Sequence, residues 1–192
     1  MIAWLEGLLN VLFPQRNICH ACGAPLTAGE GLLCETCQAG LNALAFAHGR
    51  AETVVDENID LAASAFTYDG VAARLMKALK FSADHAAAQP LAQGMALVMA
   101  QLPAYFAADI CVPVPVHYKR LRRRGYNQSQ VLAEALSALT GIPVSGSALV
   151  RIHHKHSQVG QGREGRLANI RNAFAVSTAA RLSVRGQRVL VV

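Results

Sequence analysis

The sequence predicts an α/β fold with a small cysteine-bearing module at its amino end, on three observations. Four cysteines, Cys19, Cys22, Cys34 and Cys37, form two Cys-x-x-Cys pairs with eleven residues between them. A short apolar run from Ile110 leads into a segment dense in Lys and Arg, and a helix signal follows Gly125, giving strand, basic loop, helix. Elsewhere, apolar residues at helical spacing alternate with short β-like runs.

Composition bounds the rest. A chain of 192 residues with 53% hydrophobic residues can bury the core of one ordinary domain plus a small module, which excludes a disordered chain. Charge is uneven: residues 1–115 hold 5 Lys/Arg against 10 Asp/Glu, net −5, and residues 116–192 hold 13 against 2, net +11. The basic half calls for an anion, and charge alone does not separate a phosphate ligand from a nucleic-acid backbone.

Met1–Phe13 places Ile2, Trp4, Leu5, Leu8, Leu9, Leu12 and Phe13 close to helical periodicity before Pro14. The segment is too short to span a bilayer and lacks the leading charge and cleavage site of a signal peptide. The expectation is a short helix packed on the chain itself, with membrane contact as the alternative, in a cytoplasmic protein without a membrane span. Each Cys-x-x-Cys can form a tight turn, and two such turns aim four soft ligands at one point, the pattern of a structural Zn²⁺ site. Two disulfides are the competing reading, which a reducing cytosol disfavours. His20 reads as an exposed bystander and Cys111 as a packed core residue.

Residues 39–60 show no periodicity and read as a linker. A strand is expected over Ala62–Tyr68, a turn at Asp69-Gly70, and a helix from Val71 to about Leu79 with Lys77 and Lys80 on a solvated face. Pro90–Leu102 reads as a helix with Leu91, Met95, Val98, Met99 and Leu102 inward, closed by Pro103. Pro115 ends the central strand, because it has no N–H for a ladder. Asn127 or Ser129 caps the next helix, whose apolar face is Val131, Leu132, Ala135, Leu136 and Leu139. Gly141-Ile-Pro143 is a turn and Val144–Val150 a short strand. Residues 151–166 read as a mobile polar loop whose His153, His154 and His156 are too close in sequence to converge on a metal. Cations after the carboxyl end of a strand, beside a helix start, suit an anion site, with a solvated basic loop as the bland alternative.

Val-Pro-Val-Pro followed by Arg-Leu-Arg-Arg-Arg-Gly-Tyr-Asn-Gln-Ser resembles the ComF family, phosphoribosyltransferase-like proteins associated with competence and DNA uptake. Tyr68-Asp-Gly70 with Leu75 and Leu79-Lys-Phe81 resembles the family's approach to the transferase fold. Arg151, Ser157, Gln158, Val159, Gly160, Arg166, Asn169, Ala173 and Phe174 are similar to its Arg-led loop, although Lys155 stands in place of the usual Thr and Gln161 in place of Leu. The resemblance implies a type I phosphoribosyltransferase-like, Rossmann-like sheet over 61–192 and an N-terminal helix and zinc ribbon over 1–45.

It implies further that Lys119, Arg120, Arg123, Arg124, Gly125 and Asn127 hold the pyrophosphate of phosphoribosyl pyrophosphate or a related phosphosugar, with Mg²⁺ as companion ion. Arg151 and Gln158 would act from the loop that closes over the reacting ester. Fixed cations there would stabilise the charge that gathers on departing pyrophosphate. The other functional expectation is a basic accessory of DNA uptake, binding single-stranded DNA and uptake proteins without transferase activity; Tyr118 and Tyr126 are the aromatic residues near its cations. After a strand such as Arg188–Val192, the resemblance implies two acidic residues and a Thr-Thr-Gly loop for the 5′-phosphate. Neither Asp-Asp nor Thr-Thr-Gly occurs in these 192 residues, and the expectation is a C-terminally truncated, incomplete transferase domain.

Overall fold

The computed structural model describes residues 17–52, 59–102, 107–152 and 173–192. After the cysteine turns, helix α1 (Glu35–Leu44) runs into strand β1 (Ala45–Glu52), which pairs antiparallel with β2 (Ala62–Phe66). Helix α2 (Gly70–Phe81), a 3₁₀ turn (His85–Ala87) and helix α3 (Ala88–Gln101) follow. Then come β3 (Ile110–Val112), helices α4 (Tyr118–Arg124) and α5 (Gln128–Thr140), β4 (Leu149–Arg151), β5 (Phe174–Val176), a short α6 (Arg181–Val184) and β6 (Val189–Val191). The fold is mixed α/β with small sheets.

β3 is hydrogen-bonded on both sides. It pairs in parallel with β6, Ile110 opposite Val189 and Val112 opposite Val191. On its other edge Cys111 bridges Val144 in parallel, with Cys111 N–H donating to Pro143 and Ser145 N–H to Cys111. The spatial order is therefore Val144, β3, β6. Asp109 and Arg188 clamp the start of the β3–β6 pair: the guanidinium donates to the carboxylate from Nη2 at 2.8 Å and Nε at 3.1 Å, and Arg188 N–H adds a third bond at 2.8 Å. β4 and β5 form a separate antiparallel hairpin.

The helices follow from local chemistry. The Asp69 carboxylate accepts from Gly70 N–H, and Val71, Ala72, Leu75 and Leu79 then fall on one buried face of α2. Leu75 and Leu79 are wholly buried, and each such side chain contributes about 1.5–3 kcal/mol by leaving water. They share a core with Cys19, Leu33, Cys37 and Leu41, so the cysteine module and α2 pack as one body. A second cluster joins Ala92 and Met99 of α3 to Cys111, Ala133 and Leu136. Gly94 of α3 lies against the Phe66 ring so closely that a Cβ would collide with it. That contact seats α3 on β2.

Several expectations need correction. Residues 39–60 are no linker in their first part, since α1 extends to Leu44 and β1 pairs with β2; the partner strand, which local pattern does not show, makes 45–52 a strand. The basic segment is a helix, α4. Arg, Lys and Leu are good helix formers, the His117 ring accepts from Lys119 N–H, and Gly125 in the left-handed region (φ 85°) ends it with a bond to Leu121. None of its residues is buried, so it has no apolar stripe to read. β2 stops at Phe66, short of the expected Tyr68, and Asp69 caps α2. Val144–Val150 is not one strand: Val144 makes a bridge alone, and β4 begins at Leu149. Met1–Phe13, Pro103 and residues 153–172, with Gln158, the three histidines, Arg166 and Asn169, lie outside the described residues.

Candidate functional site

The four cysteines converge. Their Sγ atoms all lie within 4.8 Å of one another, and none is in a disulfide. The first pair sits on a turn in which Gly23 N–H donates to Cys19 and Cys19 N–H to Ala24. The second pair straddles a helix start: Cys34 is the residue before α1 and Cys37 its third. Zn–S bonds of about 2.3 Å in a tetrahedron require sulfur–sulfur edges of about 3.8 Å. The Cys22–Cys34 separation is 3.8 Å. Donor type, number and spacing thus fit a soft tetrahedral ion such as Zn²⁺.

Electrostatics agree. Burial raises the Cys19 thiol, but N–H bonds from Cys34, Ala21 and Cys22 outweigh it and bring it to about 6. Burial pushes Cys37 up to about 12, helped by hydrogen bonds with the thiols of Cys22, Cys19 and Cys34, while the Arg74 side chain opposes. Four thiols this close cannot all ionise without a cation among them, and a metal supplies it. Cys111 is apart from the set, buried in β3, with burial raising its thiol to about 11, which suits a core residue.

Sequence reading missed the groups that brace this cluster. Glu30 accepts from Thr27 N–H, Thr27 Oγ1 and Glu35 N–H at 2.6, 2.9 and 2.8 Å, holding the loop between the pairs and the first turn of α1. Those bonds, Thr27 N–H first, lower its carboxyl below the ordinary value. Thr27-Ala-Gly-Glu30 has the spacing of a capping box, a signal that could have found it. His20 is no bystander: its Nδ1 donates to Asp84 at 2.7 Å, across 64 residues. No local pattern could show that.

The basic residues are arranged differently. Lys119, Arg120, Arg122 and Arg123 are exposed on α4, which begins six residues beyond the end of β3. Arg124 turns the other way, donating to Gln128 Oε1 with its guanidinium 5.8 Å from the Phe81 ring centre and 5.9 Å from that of Tyr126. Asn127 caps α5 through its Oδ1, which accepts from Ser129 N–H, and its Nδ2 donates to the Val114 carbonyl. Both of its polar ends join the strand end to the helix start. Arg151 is on the β4–β5 hairpin, its guanidinium 5.3 Å from the Phe174 ring centre and its buried Nε without a hydrogen-bond partner among the described residues. Lys80 lies 5.9 Å from the Tyr68 ring centre, and Lys77 is exposed.

With this geometry in place, comparison with known proteins finds similarity to Competence protein F of Haemophilus influenzae, 35% identical over 71 residues. The match covers 37% of this chain and spans 31% of the length of that protein, under a third of the curated relative. No family model matches the chain. No solved structure matches it either. Among the described residues no helix is long and apolar enough to cross a membrane.

Proposed function

We propose that this is a ComF-like protein of competence and DNA uptake whose α/β body binds the diphosphate of a phosphoribosyl pyrophosphate-type ligand, with Mg²⁺. One observation carries the reading: the cations of α4 follow the carboxyl end of β3, and β3 stands between Val144 and β6 in a parallel arrangement. The chain runs from β3 through α4 and α5 to Val144 on one side of β3 and later returns to its other side at β6, and ligands of open α/β sheets bind where strand order reverses in this way. Arginine is suited to such a ligand because its planar fork meets phosphate oxygens in pairs. The similarity to Competence protein F supports the assignment to competence. Arg120, Arg123 and Lys119 are the residues for the diphosphate, Gly125 lets the chain turn beneath them, and Arg151 with Gln158 would act from the hairpin and its loop. Zn²⁺ on Cys19, Cys22, Cys34 and Cys37 has a structural task, cross-linking two turns that have little core of their own.

Calorimetric titration with inorganic pyrophosphate and with phosphoribosyl pyrophosphate, each with and without Mg²⁺, tests this. Binding of both is expected, weakened about tenfold for each of Arg120→Ala and Arg123→Ala, the loss of one charge-assisted hydrogen bond. Absence of heat with either ligand would overturn it. A second reading, single-stranded DNA as the anion, is favoured by the exposure of four cations around one short helix. It requires affinity for oligonucleotides that falls linearly in log–log with salt and is insensitive to pyrophosphate.

A further inference from the structure

The residues between α2 and α3 touch both candidate sites. Asp84 accepts from His20, which lies between Cys19 and Cys22, at 2.7 Å. The next residue, His85, meets the Tyr126 ring edge-on, with centroids 4.3 Å apart. Tyr126 directly follows the glycine that ends α4, and its hydroxyl donates to the Leu79 carbonyl near the end of α2. Phe81 and Tyr126 both face the Arg124 guanidinium. Ala83, just before Asp84, is the one non-glycine residue in the left-handed region among those described, with φ 53°. An L-residue is held in that conformation only when its surroundings over-determine it. Here it turns the chain so that successive residues reach opposite ways, one to the cysteine turn and one to the α4–α5 junction.

We propose that the turn Ser82–Ala87 is a positioning strut through which the metal-loaded cysteine centre orders the α4–α5 junction, so that metal occupancy sets affinity at the basic helix. His20, Asp84, His85 and Tyr126 are its positioning residues. The second half of this statement rests on the anion-binding reading above; the first does not. With metal, the turn from Cys19 to Cys22 is locked and His20 holds Asp84 in register. Without it, that turn is released, His85 loses its footing on Tyr126, and Gly125–Asn127 is no longer held against Leu79.

The test uses the full-length protein purified with Zn²⁺, its chelated form, and the variants Asp84→Ala and His85→Ala loaded with Zn²⁺. Neither side chain is in the core, so both variants are expected to fold and to keep their metal, measured by release to a chromogenic chelator. Amide hydrogen exchange over residues 118–127 is expected to speed up about tenfold in the chelated protein and in both zinc-loaded variants, within the usual range of coupling between sites. In the two zinc-loaded variants, exchange over β3 and α5 should stay near wild type. Pyrophosphate affinity should fall in parallel, about fivefold or more. Unchanged exchange at 118–127 in the zinc-loaded variants would overturn the strut, as would equal acceleration in β3 of those same variants, which would mean global opening. If wild type fails to bind pyrophosphate while 118–127 still responds, the anion reading fails and the strut stands.

Discussion

The cysteine cluster and the basic helix are both rows of one residue chemistry, yet they are built on opposite principles. The cluster is made by short-range geometry: the cysteines of each pair are three residues apart, one pair on a turn and the other across a helix start, so each pair's sulfurs converge wherever the module sits. The basic helix is locally unremarkable in shape and has no buried face. Its significance comes from what precedes it, a strand hydrogen-bonded on both edges by segments more than 30 and more than 70 residues away in sequence, as the Cys111–Val144 and Cys111–Leu190 pairings record. Ligand convergence can thus be encoded locally, whereas the place of a charged surface in a sheet cannot.

Breaking the cluster should have the largest effect. Cys22→Ser or chelation removes one of four ligands or the ion itself, and a drop of ~3 kcal/mol or more is expected, about 10 °C in Tm, together with loss of bound zinc by elemental analysis. A Cys22→Ser protein that melts at the wild-type temperature with zinc retained would refute a four-cysteine centre. Leu75→Ala, wholly buried where α2 meets both the module and α3, should cost about 2–5 kcal/mol in urea unfolding. Both regions should melt together in that variant, because they share this core. Gly94→Ala, which forces a methyl into the Phe66 ring, should cost about 1–3 kcal/mol without changing zinc content.

Tyr126→Phe removes the hydroxyl bond to Leu79 and should cost about 1 kcal/mol, a fall in the urea midpoint with unchanged slope. Arg122→Ala on α4 should leave stability within about 0.5 kcal/mol of wild type, since the side chain is exposed, and the same would hold of any cation there that serves only binding. The smallest effect concerns acid. The Arg188 guanidinium, then its N–H, hold the Asp109 carboxyl at about 2, below its ordinary 3.8. A depressed carboxylate contributes stability that is full above the ordinary value and is lost as pH falls through the folded value. The stability gap between wild type and Asp109→Asn should therefore be constant at neutral pH and shrink only as pH falls from 3.8 to about 2. A gap that instead changed near pH 7 would mean that another group controls the clamp.

Much of the fold was legible. Asp69-Gly70 with Val71, Leu75 and Leu79 marked α2, the apolar spacing after Pro90 marked α3, and Asn127 was one of two caps foreseen for α5. Strand β1 was not, because a short Ala-containing run becomes a strand only when β2 lies beside it. The helical state of Tyr118–Arg124 was hidden too, since a helix that is polar all round leaves no periodic trace.

Leu139, expected on the apolar face of α5, is exposed. By itself the sequence determined the cysteine quartet, Asn127 as a cap of α5, the inward Val71, Leu75 and Leu79 of α2 and Leu91, Val98 and Met99 of α3, and the density of cations after Ile110–Val112. These depend on neighbours within a turn or two of the chain. Tertiary structure alone decided that β3 lies between Val144 and β6, that Asn127 ties α5 to Val114, and that His20 meets Asp84 while His85 meets Tyr126. Those contacts join residues 10 to 80 positions apart. They exist because burying Leu75, Leu79 and Leu136 brings distant segments together, and backbone and side-chain polar groups left near that core must then find partners in each other.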